Sequence, residues 1–166
     1  MLLAGRPLWI KRVMSEYEIC ESETDRIEEY HQLLEEFSKE GNLVPVYDSE
    51  TVYEFISTMH NSNDAVTLDL RKNGKVIGVI AGVFIEHSFE RGRFGLVELV
   101  WYIAKEYRKS LWSIRLFKAF EKAGIERGVK YIVMGLMKEN TNFEALHKFC
   151  TKVGYSPLEI NYIKVL

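Results

Sequence analysis

An Asn-Gly pair, Asn73-Gly74, lies near the middle of the chain, and this pair is typical of a tight turn between two β-strands. A type I′ turn needs a positive φ at both central residues, which Asn and Gly adopt at low cost, and this turn joins adjacent antiparallel strands. The flanking sequences suit strands, because Val66 to Leu70 alternates apolar and polar residues and Val76 to Ile85 contains only apolar residues and glycine. The sequence therefore predicts a β-hairpin at its centre.

The segments around this hairpin predict helices and further strands, and so a domain of mixed α/β (α+β) class. Apolar residues recur at helical spacing before the hairpin, and strand-like composition returns after an irregular, charged stretch from Glu86 to Arg93. Thr141 and Glu144 have the spacing of a capping box that starts a helix. The predicted order is a strand (Tyr17 to Glu21), two helices (Thr24 to Gly41, and from Asp48 or Ser49), three meander strands ending with Phe94 to Ile103, a helix (Ser110 to Gly128), a strand (Tyr131 to Met137), a helix (from Thr141) and a last strand (Leu158 to Val165).

Length and charge limit the class of protein. A chain of 166 residues, of which 47% are hydrophobic, suits one domain with one packed core. Lys and Arg total 22 against 24 Asp and Glu, so no overall positive field attracts nucleic acid or an anionic membrane. No apolar run approaches the roughly 18 to 20 residues that a membrane helix needs. We expect a soluble, cytoplasmic protein that binds neither nucleic acid nor membrane.

The first thirteen residues differ in pattern from the remainder. Their apolar runs are short, Pro7 interrupts them, and the basic residues follow the apolar part instead of preceding it, unlike a targeting peptide. We expect residues 1–13 to be an arm or leader and residues 14–166 to form the domain. The two cysteines, Cys20 and Cys150, belong to no C-x-x-C pair or Cys/His cluster, so neither a disulfide nor a metal site is expected.

The segment from Val97 to Phe120 resembles the acyl-coenzyme A-binding segment of the GNAT superfamily of N-acyltransferases. In that family a central strand ends in a V-x-P-x-Y-R-like turn, here Ile103 to Arg108, followed by a phosphate loop and a helix. Lys152, Gly154 and Tyr155 are similar to the family's closing Y-x-K-x-G-F/Y pattern. The pattern looks most like small bacteriophage and bacterial members. The resemblance implies a mixed, mostly antiparallel central sheet with helices on both faces.

The resemblance also implies a coenzyme site at the start of that helix. Unpaired backbone N–H groups and the positive end of the helix dipole would face the pyrophosphate there. The family loop follows R/Q-x-x-G-x-G/A, and the matching positions are Arg108, Leu111 and Ser113, so both glycines are replaced. In relatives, asparagines near the next helix contact the pantetheine arm, and a capping role is the alternative interpretation of Asn140 and Asn142. The candidate coenzyme-binding residues are Ile103, Arg108, Lys109, Ser110, Leu111, Trp112, Ser113, Asn140 and Asn142.

The activity implied is transfer of an acetyl or similar small acyl group from acetyl-CoA to a primary amine, by direct attack in a ternary complex. Glu98 is our first choice for the general base, with a half-exposed strand residue as the alternative interpretation, and His87 is a second candidate. Relatives commonly carry a tyrosine acid four residues before the closing glycine, where this chain has Cys150. Cys150 lies on an apolar helical face, so we expect packing. The phenols of Tyr155 and Tyr102 are other candidate acids.

The replaced glycines and the missing tyrosine favour a second function, a non-catalytic binding module on the same fold that binds coenzyme weakly or not at all. The acyl acceptor is a small-molecule or peptide amine, and an aminoglycoside, a polyamine, a peptide N-terminus and a lysine side chain all stay open. In relatives the first two helices shape the acceptor site, so the charge-rich helix from Thr24 to Lys39 is either a solvated face or a border of that site. A homodimer is a candidate assembly.

Overall fold

The computed structural model describes residues 16–41, 47–108, 110–137, 142–161 and residue 164. Within these ranges the strands are β1 (Tyr17–Glu21), β2 (Ala65–Lys72), β3 (Lys75–His87), β4 (Glu90–Ile103) and β5 (Tyr131–Val133). The helices are α1 (Ile27–Gly41), α2 (Ser49–Asn61), α3 (Leu111–Glu126) and α4 (Phe143–Lys152). Short 3-10 turns, Thr24–Arg26 and Lys105–Tyr107, precede α1 and α3.

The five strands form one sheet whose order follows the chain, β1-β2-β3-β4-β5. Neighbours from β1 to β4 are antiparallel, whereas β4 and β5 are parallel. The sheet is therefore mixed and mostly antiparallel, as predicted. Its central turn is also confirmed, because Asn73 and Gly74 have φ angles of 50° and 81°. The predicted start of α2 is confirmed too, since the Asp48 carboxylate accepts a hydrogen bond of 2.7 Å from the N–H of Thr51.

Helices cover both faces of the sheet, and a separate apolar core lies under each. On one face α1 and α2 pack on residues of β3 and β4, including Val79, Val100 and Tyr102. On the other face α3 buries Leu116 and Phe120 against β2, β3 and β4. The α4 helix joins this second face through Phe149, whose ring centroid lies 5.0 Å from that of Phe117. None of the described helices is both long and apolar enough to cross a bilayer.

A buried polar network ties β1 and α1 to the sheet. The side chain of Asp69 is 0% exposed, and its two oxygens accept hydrogen bonds from the hydroxyls of Ser22 (2.6 Å) and Tyr30 (2.8 Å). The Arg71 guanidinium donates to the same carboxylate at 2.9 Å and also pairs with Glu23 at 3.0 Å. Because an unpaired buried carboxylate is costly, these partners are what make a charge in this position tolerable.

Three predicted segments differ from the structure. The stretch from Glu86 to Arg93 is mostly strand, since β3 and β4 extend to a tight tip and their ladder continues there despite a register shift at Glu86/His87. The described residues of the predicted last strand, 158–161 and 164, form no strand, and the side chains of Leu158 and Ile160 are exposed. The strand predicted for Tyr131 to Met137 is also shorter, ending at Val133. Residues 1–13 and the Thr141 cap lie outside the described residues.

Candidate active site

The candidate site begins where β4 and β5 separate. The two strands pair only from Gly95 to Val97 and from Tyr131 to Val133, and β4 then continues to Ile103. Among the described residues, no strand pairs with this later part of β4 on the side of β5. Backbone N–H and C=O groups need partners when they are removed from water. We call the region between β4 and the chain after β5 the cleft, because the pairing of the two strands ends there and leaves an edge of β4 to which an extended ligand could hydrogen-bond.

A bulge at Leu99 changes the direction of the side chains inside this cleft. On β3, Ala81 and Gly82 pair with Val100 and Glu98, so Leu99 is left without a pairing partner in the described register. A bulge shifts the alternation of side chains between the two faces by one residue. The residues of β4 that enter the core under α3 show this shift.

Leu96, before the bulge, and Ile103, after it, both contribute to the core under α3. They are seven residues apart, so in a regular strand they would lie on opposite faces. Glu98 is two residues from Leu96, so it belongs to the same face.

The carboxylate of Glu98 spans the cleft. Its Oε2 atom accepts a hydrogen bond of 2.9 Å from the backbone N–H of Gly135, just beyond β5. Burial raises the pKa of Glu98 to about 7, and the Gly135 N–H opposes that shift. A carboxylate with a pKa near neutrality in a cleft is suited to accept a proton at physiological pH. These observations favour the base that the sequence predicts, although proton transfer itself remains a prediction.

His87, the second candidate base, lies far from this carboxylate. It is five residues along β3 from Gly82, the partner of Glu98, which corresponds to about 17 Å of extended strand. Its ring contacts those of Phe89 and Tyr131 near the tip of the hairpin. His87 is therefore outside the cleft around Glu98.

Cys150 is buried on α4, near two carboxylates. Burial raises the pKa of its thiol, and the negative charges of Glu121 and Glu98 raise it further. A thiol in these surroundings keeps its proton and behaves as a small apolar side chain. The environment agrees with the packing role predicted for Cys150.

Tyr155 lies beside the same helices, but its hydroxyl has a partner. It donates a hydrogen bond of 3.1 Å to Oε1 of Glu121, and its ring packs edge-on against Phe117. Burial, and then the charge of Glu121, raise the pKa of Tyr155 above its ordinary value. A phenol with a raised pKa is a weak proton donor to a thiolate, whose pKa is roughly 8.5. Its contacts favour anchoring the chain after α4, and the role of Tyr155 as acid remains a prediction.

The guanidinium of Arg108, predicted to contact phosphate, is bound to protein groups. Its two terminal nitrogens donate to the Glu40 carboxylate at 2.7 and 2.9 Å, and its Nε donates to the carbonyl of Ile103 at 2.6 Å. Glu40 is a residue that the sequence interpretation missed, as is Glu121. Neither contact follows a local spacing, because the partners are 68 and 34 residues apart in the chain.

The N-terminus of α3 has donors available for an anion. The N-cap residue, Ser110, directs its hydroxyl to the carbonyl of Tyr107 and forms no side-chain cap within the described part of the chain. Ser113 likewise donates to a carbonyl, that of Arg108. The side chain of Leu111, which replaces a family glycine, is 70% exposed. The N–H of Ser113 donates to the carbonyl of Ser110 at 3.3 Å, so the N–H groups before it and the helix dipole form the potential phosphate-binding surface.

Of the remaining predicted coenzyme ligands, two are among the described residues and two are not. Trp112 lies between the ring of Tyr17, at 5.3 Å, and the guanidinium of Arg115, at 4.4 Å, so it packs α3 on β1. Asn142 is the N-cap residue of α4. Lys109 and Asn140 lie outside the described residues. In the ranges that are described, no three His, Cys, Asp or Glu side chains converge as they would around a metal ion.

Comparison with known proteins identifies a matching family and structures of similar fold. The model of the acetyltransferase (GNAT) family matches residues 13–155. A search of curated protein sequences found no significant match.

Solved structures with the same fold include a GNAT family acetyltransferase from Staphylococcus aureus, with a TM-score of 0.68 and 18% identity, covering 92% of this chain and 100% of the other. An aminoglycoside N-acetyltransferase in complex with CoA has a TM-score of 0.71 and 15% identity, with coverage of 98% and 99%. A ribosomal-protein-alanine N-acetyltransferase from Brucella melitensis has a TM-score of 0.69 and 13% identity, with coverage of 90% and 99%.

Proposed function

Because the chain belongs to the acetyltransferase (GNAT) family, we propose that it transfers an acetyl group from acetyl-CoA to a primary amine by direct attack in a ternary complex. The observation that carries this proposal is Glu98, a carboxylate with a pKa of about 7 in the cleft between β4 and β5. A binding module without catalysis has no need of a proton acceptor in this position. The non-catalytic alternative therefore receives less support from the structure.

The proposed coenzyme path runs along the open edge of β4. With the thioester beside Glu98 and the pyrophosphate at the N-terminus of α3, the pantetheine arm would follow the strand as far as Ile103. That stretch is five residues long, or about 17 Å. Within the described ranges no strand pairs with this edge of β4 and no side chain caps α3, which supports this placement. The candidate contacts to the coenzyme remain Ile103, Lys109, Ser110, Leu111, Trp112, Ser113, Asn140 and Asn142.

The chemistry required of the protein is limited. The amine nitrogen forms a bond to the acetyl carbon as the carbon–sulfur bond breaks, so the amine must lose a proton and the thiolate must gain one. Glu98 accepts the first proton, and solvent supplies the second. A backbone N–H of β4 near the Leu99 bulge polarises the thioester carbonyl. Holding the two reactants together provides the remaining acceleration.

The distribution of charge supports a cationic acceptor. Residues 16–64, which supply α1 and α2, contain fourteen Asp or Glu and two Lys or Arg. Residues 65–166, which supply most of the proposed coenzyme site, contain ten acidic and seventeen basic residues. The acidic segment therefore attracts a cationic ligand, and the basic segment attracts an anionic one. We therefore propose an acceptor with more than one amine, of the polyamine or aminoglycoside type, entering from the α1 and α2 side.

Release of free thiol from acetyl-CoA tests this function. Wild-type protein is assayed against a polyamine, an aminoglycoside, an N-terminal peptide and a lysine side-chain peptide, with calorimetric titration of coenzyme in parallel. We expect coenzyme binding and turnover with a polycationic amine. Binding without turnover on any acceptor would favour the non-catalytic module, and no binding would remove the basis of the proposal.

A further inference from the structure

The Arg108 guanidinium is held by three protein hydrogen bonds, which occupy three of its five N–H donors. Two of these bonds form a bidentate pair with Glu40, a geometry that Arg forms with carboxylates and Lys cannot reproduce. The two side chains are 23% and 22% exposed, so solvent screens the pair less than it screens a fully exposed one.

The surroundings of this ion pair hold it in place. The guanidinium lies 4.9 Å from the ring centroid of Tyr102, whose hydroxyl donates to the same carboxylate at 2.6 Å. Burial alone would raise the pKa of Glu40, but hydrogen bonds from Arg108 and Tyr102 outweigh it and lower the pKa. A phosphate that drew Arg108 away from Glu40 would leave this carboxylate half-buried, with Lys105 at 3.5 Å as its remaining cation. That exchange is unfavourable.

The ion pair connects the two halves of the proposed site. Glu40 is on α1, on the acceptor face of the sheet, whereas Arg108 ends the turn that leads to α3 on the coenzyme face. The third hydrogen bond fixes the carbonyl of Ile103, the last residue of β4. A fixed Ile103 determines where the strand edge ends relative to the helix N-terminus.

We propose that Glu40 and Arg108 form a clamp that positions the end of β4 against the coenzyme loop, and that Arg108 acts on coenzyme through this clamp and not as a phosphate ligand. Arg108 is thus a positioning residue, with Glu40 as its partner. The inference rests on the proposed acetyl-CoA site.

Two acyl donors distinguish a clamp from a phosphate ligand. Acetyl-pantetheine has the thioester and arm of acetyl-CoA but lacks the pyrophosphate. Loss of a phosphate ligand therefore reduces kcat/KM for acetyl-CoA only, whereas loss of a clamp reduces it for both donors. For Arg108→Ala and Glu40→Gln we expect a loss of about ten- to a hundredfold with both donors, the size of effect that misplaced reactants produce.

Lys105→Ala is the matched control, because it removes an exposed cation from the same carboxylate without touching Ile103. It should leave kcat/KM for both donors within about twofold of wild type, as expected for an exposed ion pair. Arg108→Lys keeps the positive charge but cannot form the bidentate pair with Glu40. The clamp therefore predicts the same loss of kcat/KM for Arg108→Lys as for Arg108→Ala. Near-normal use of acetyl-CoA by Arg108→Lys, or a defect confined to acetyl-CoA in Arg108→Ala, would overturn the clamp.

A coenzyme-free measurement keeps the clamp separate from the proposed activity. Melting temperatures of wild type, Glu40→Gln, Arg108→Lys and the double variant form a cycle. We expect the double variant to melt no lower than the worse single variant. Additive losses would contradict the clamp even if the protein proves to have no acetyltransferase activity.

Discussion

The Oε2 atom of Glu98 lies 2.9 Å from the backbone nitrogen of Gly135, across the gap where β4 and β5 separate. This contact joins the strand that would receive the coenzyme to the segment that follows β5. A Cβ at residue 135 would lie 3.3 Å from the same oxygen, which is closer than ordinary van der Waals contact. Glycine at this position therefore lets the backbone N–H reach the carboxylate.

The raised pKa of Glu98 predicts how this residue affects stability. Its pKa is about 7 in the fold and near 4.5 when exposed, so between these values the folded protein binds the proton more tightly than the unfolded chain. The contribution of Glu98 to stability is therefore present at low pH and lost as pH rises through 7. We expect Glu98→Gln to raise the melting temperature relative to wild type more at pH 8 than at pH 5. An equal difference at both pH values would contradict the raised pKa.

Replacement of Cys150 separates packing from proton transfer. The thiol is buried with a raised pKa, so we expect Cys150→Ala to retain most of the turnover while lowering the melting temperature slightly. The measurement is kcat with the best acceptor, and coenzyme affinity is the control. A loss of roughly a hundredfold in kcat, with coenzyme affinity and melting temperature unchanged, would make Cys150 the acid.

The buried network around Asp69 should dominate the polar contribution to stability. Asp69→Ala removes one carboxylate from the Arg71 guanidinium, whose side chain is 7% exposed, and leaves it the pair with Glu23. We expect a loss of about 3 to 5 kcal/mol in the free energy of unfolding, measured by urea denaturation.

Glu16→Ala is the control for that measurement, because Glu16 pairs with Lys72 on the surface at 3.1 Å. An exposed pair of this kind contributes about 1 kcal/mol or less. Equal losses in the free energy of unfolding for Asp69→Ala and Glu16→Ala would show that the buried network stabilises the fold no more than an exposed ion pair does.

A cationic acceptor predicts a dependence on ionic strength. The acidic field of residues 16–64 is screened as salt increases, since the Debye length falls from about 10 Å at 0.1 M to about 3 Å at 1 M. We expect kcat/KM to fall more steeply with salt for a polyamine than for a monoamine of similar size. Parallel salt profiles for the two acceptors would argue against electrostatic recognition.

The sequence predicts much of the fold because its signals are local. Asn73-Gly74 marks the central turn, Asp48 marks the start of α2, and both are found where predicted. The described residues of the last predicted strand, 158–161 and 164, form no strand, because apolar composition alone does not provide a pairing partner, and Leu158 and Ile160 are exposed.

The candidate site is less predictable, because its contacts join distant parts of the chain. Glu98 was identified from its strand, but the face it occupies depends on the bulge at Leu99, which alternation alone does not reveal. Motif matching assigned Arg108 to phosphate, yet its partner Glu40 is 68 residues away and on another helix. The hydrogen bond between Tyr155 and Glu121 likewise depends on how α4 packs on α3.

The pH dependence of kcat/KM for wild type and Glu98→Gln tests whether Glu98 is the general base. If Glu98 is the base, kcat/KM of the wild type rises with pH and levels off above about 7. In Glu98→Gln this inflection disappears, and kcat/KM falls by a factor of about 10² to 10⁴. Coenzyme affinity should be unchanged in the variant, with Glu121→Gln as a carboxylate control that keeps the inflection. A Glu98→Gln enzyme with the wild-type profile and rate would contradict the assignment of Glu98 as the general base.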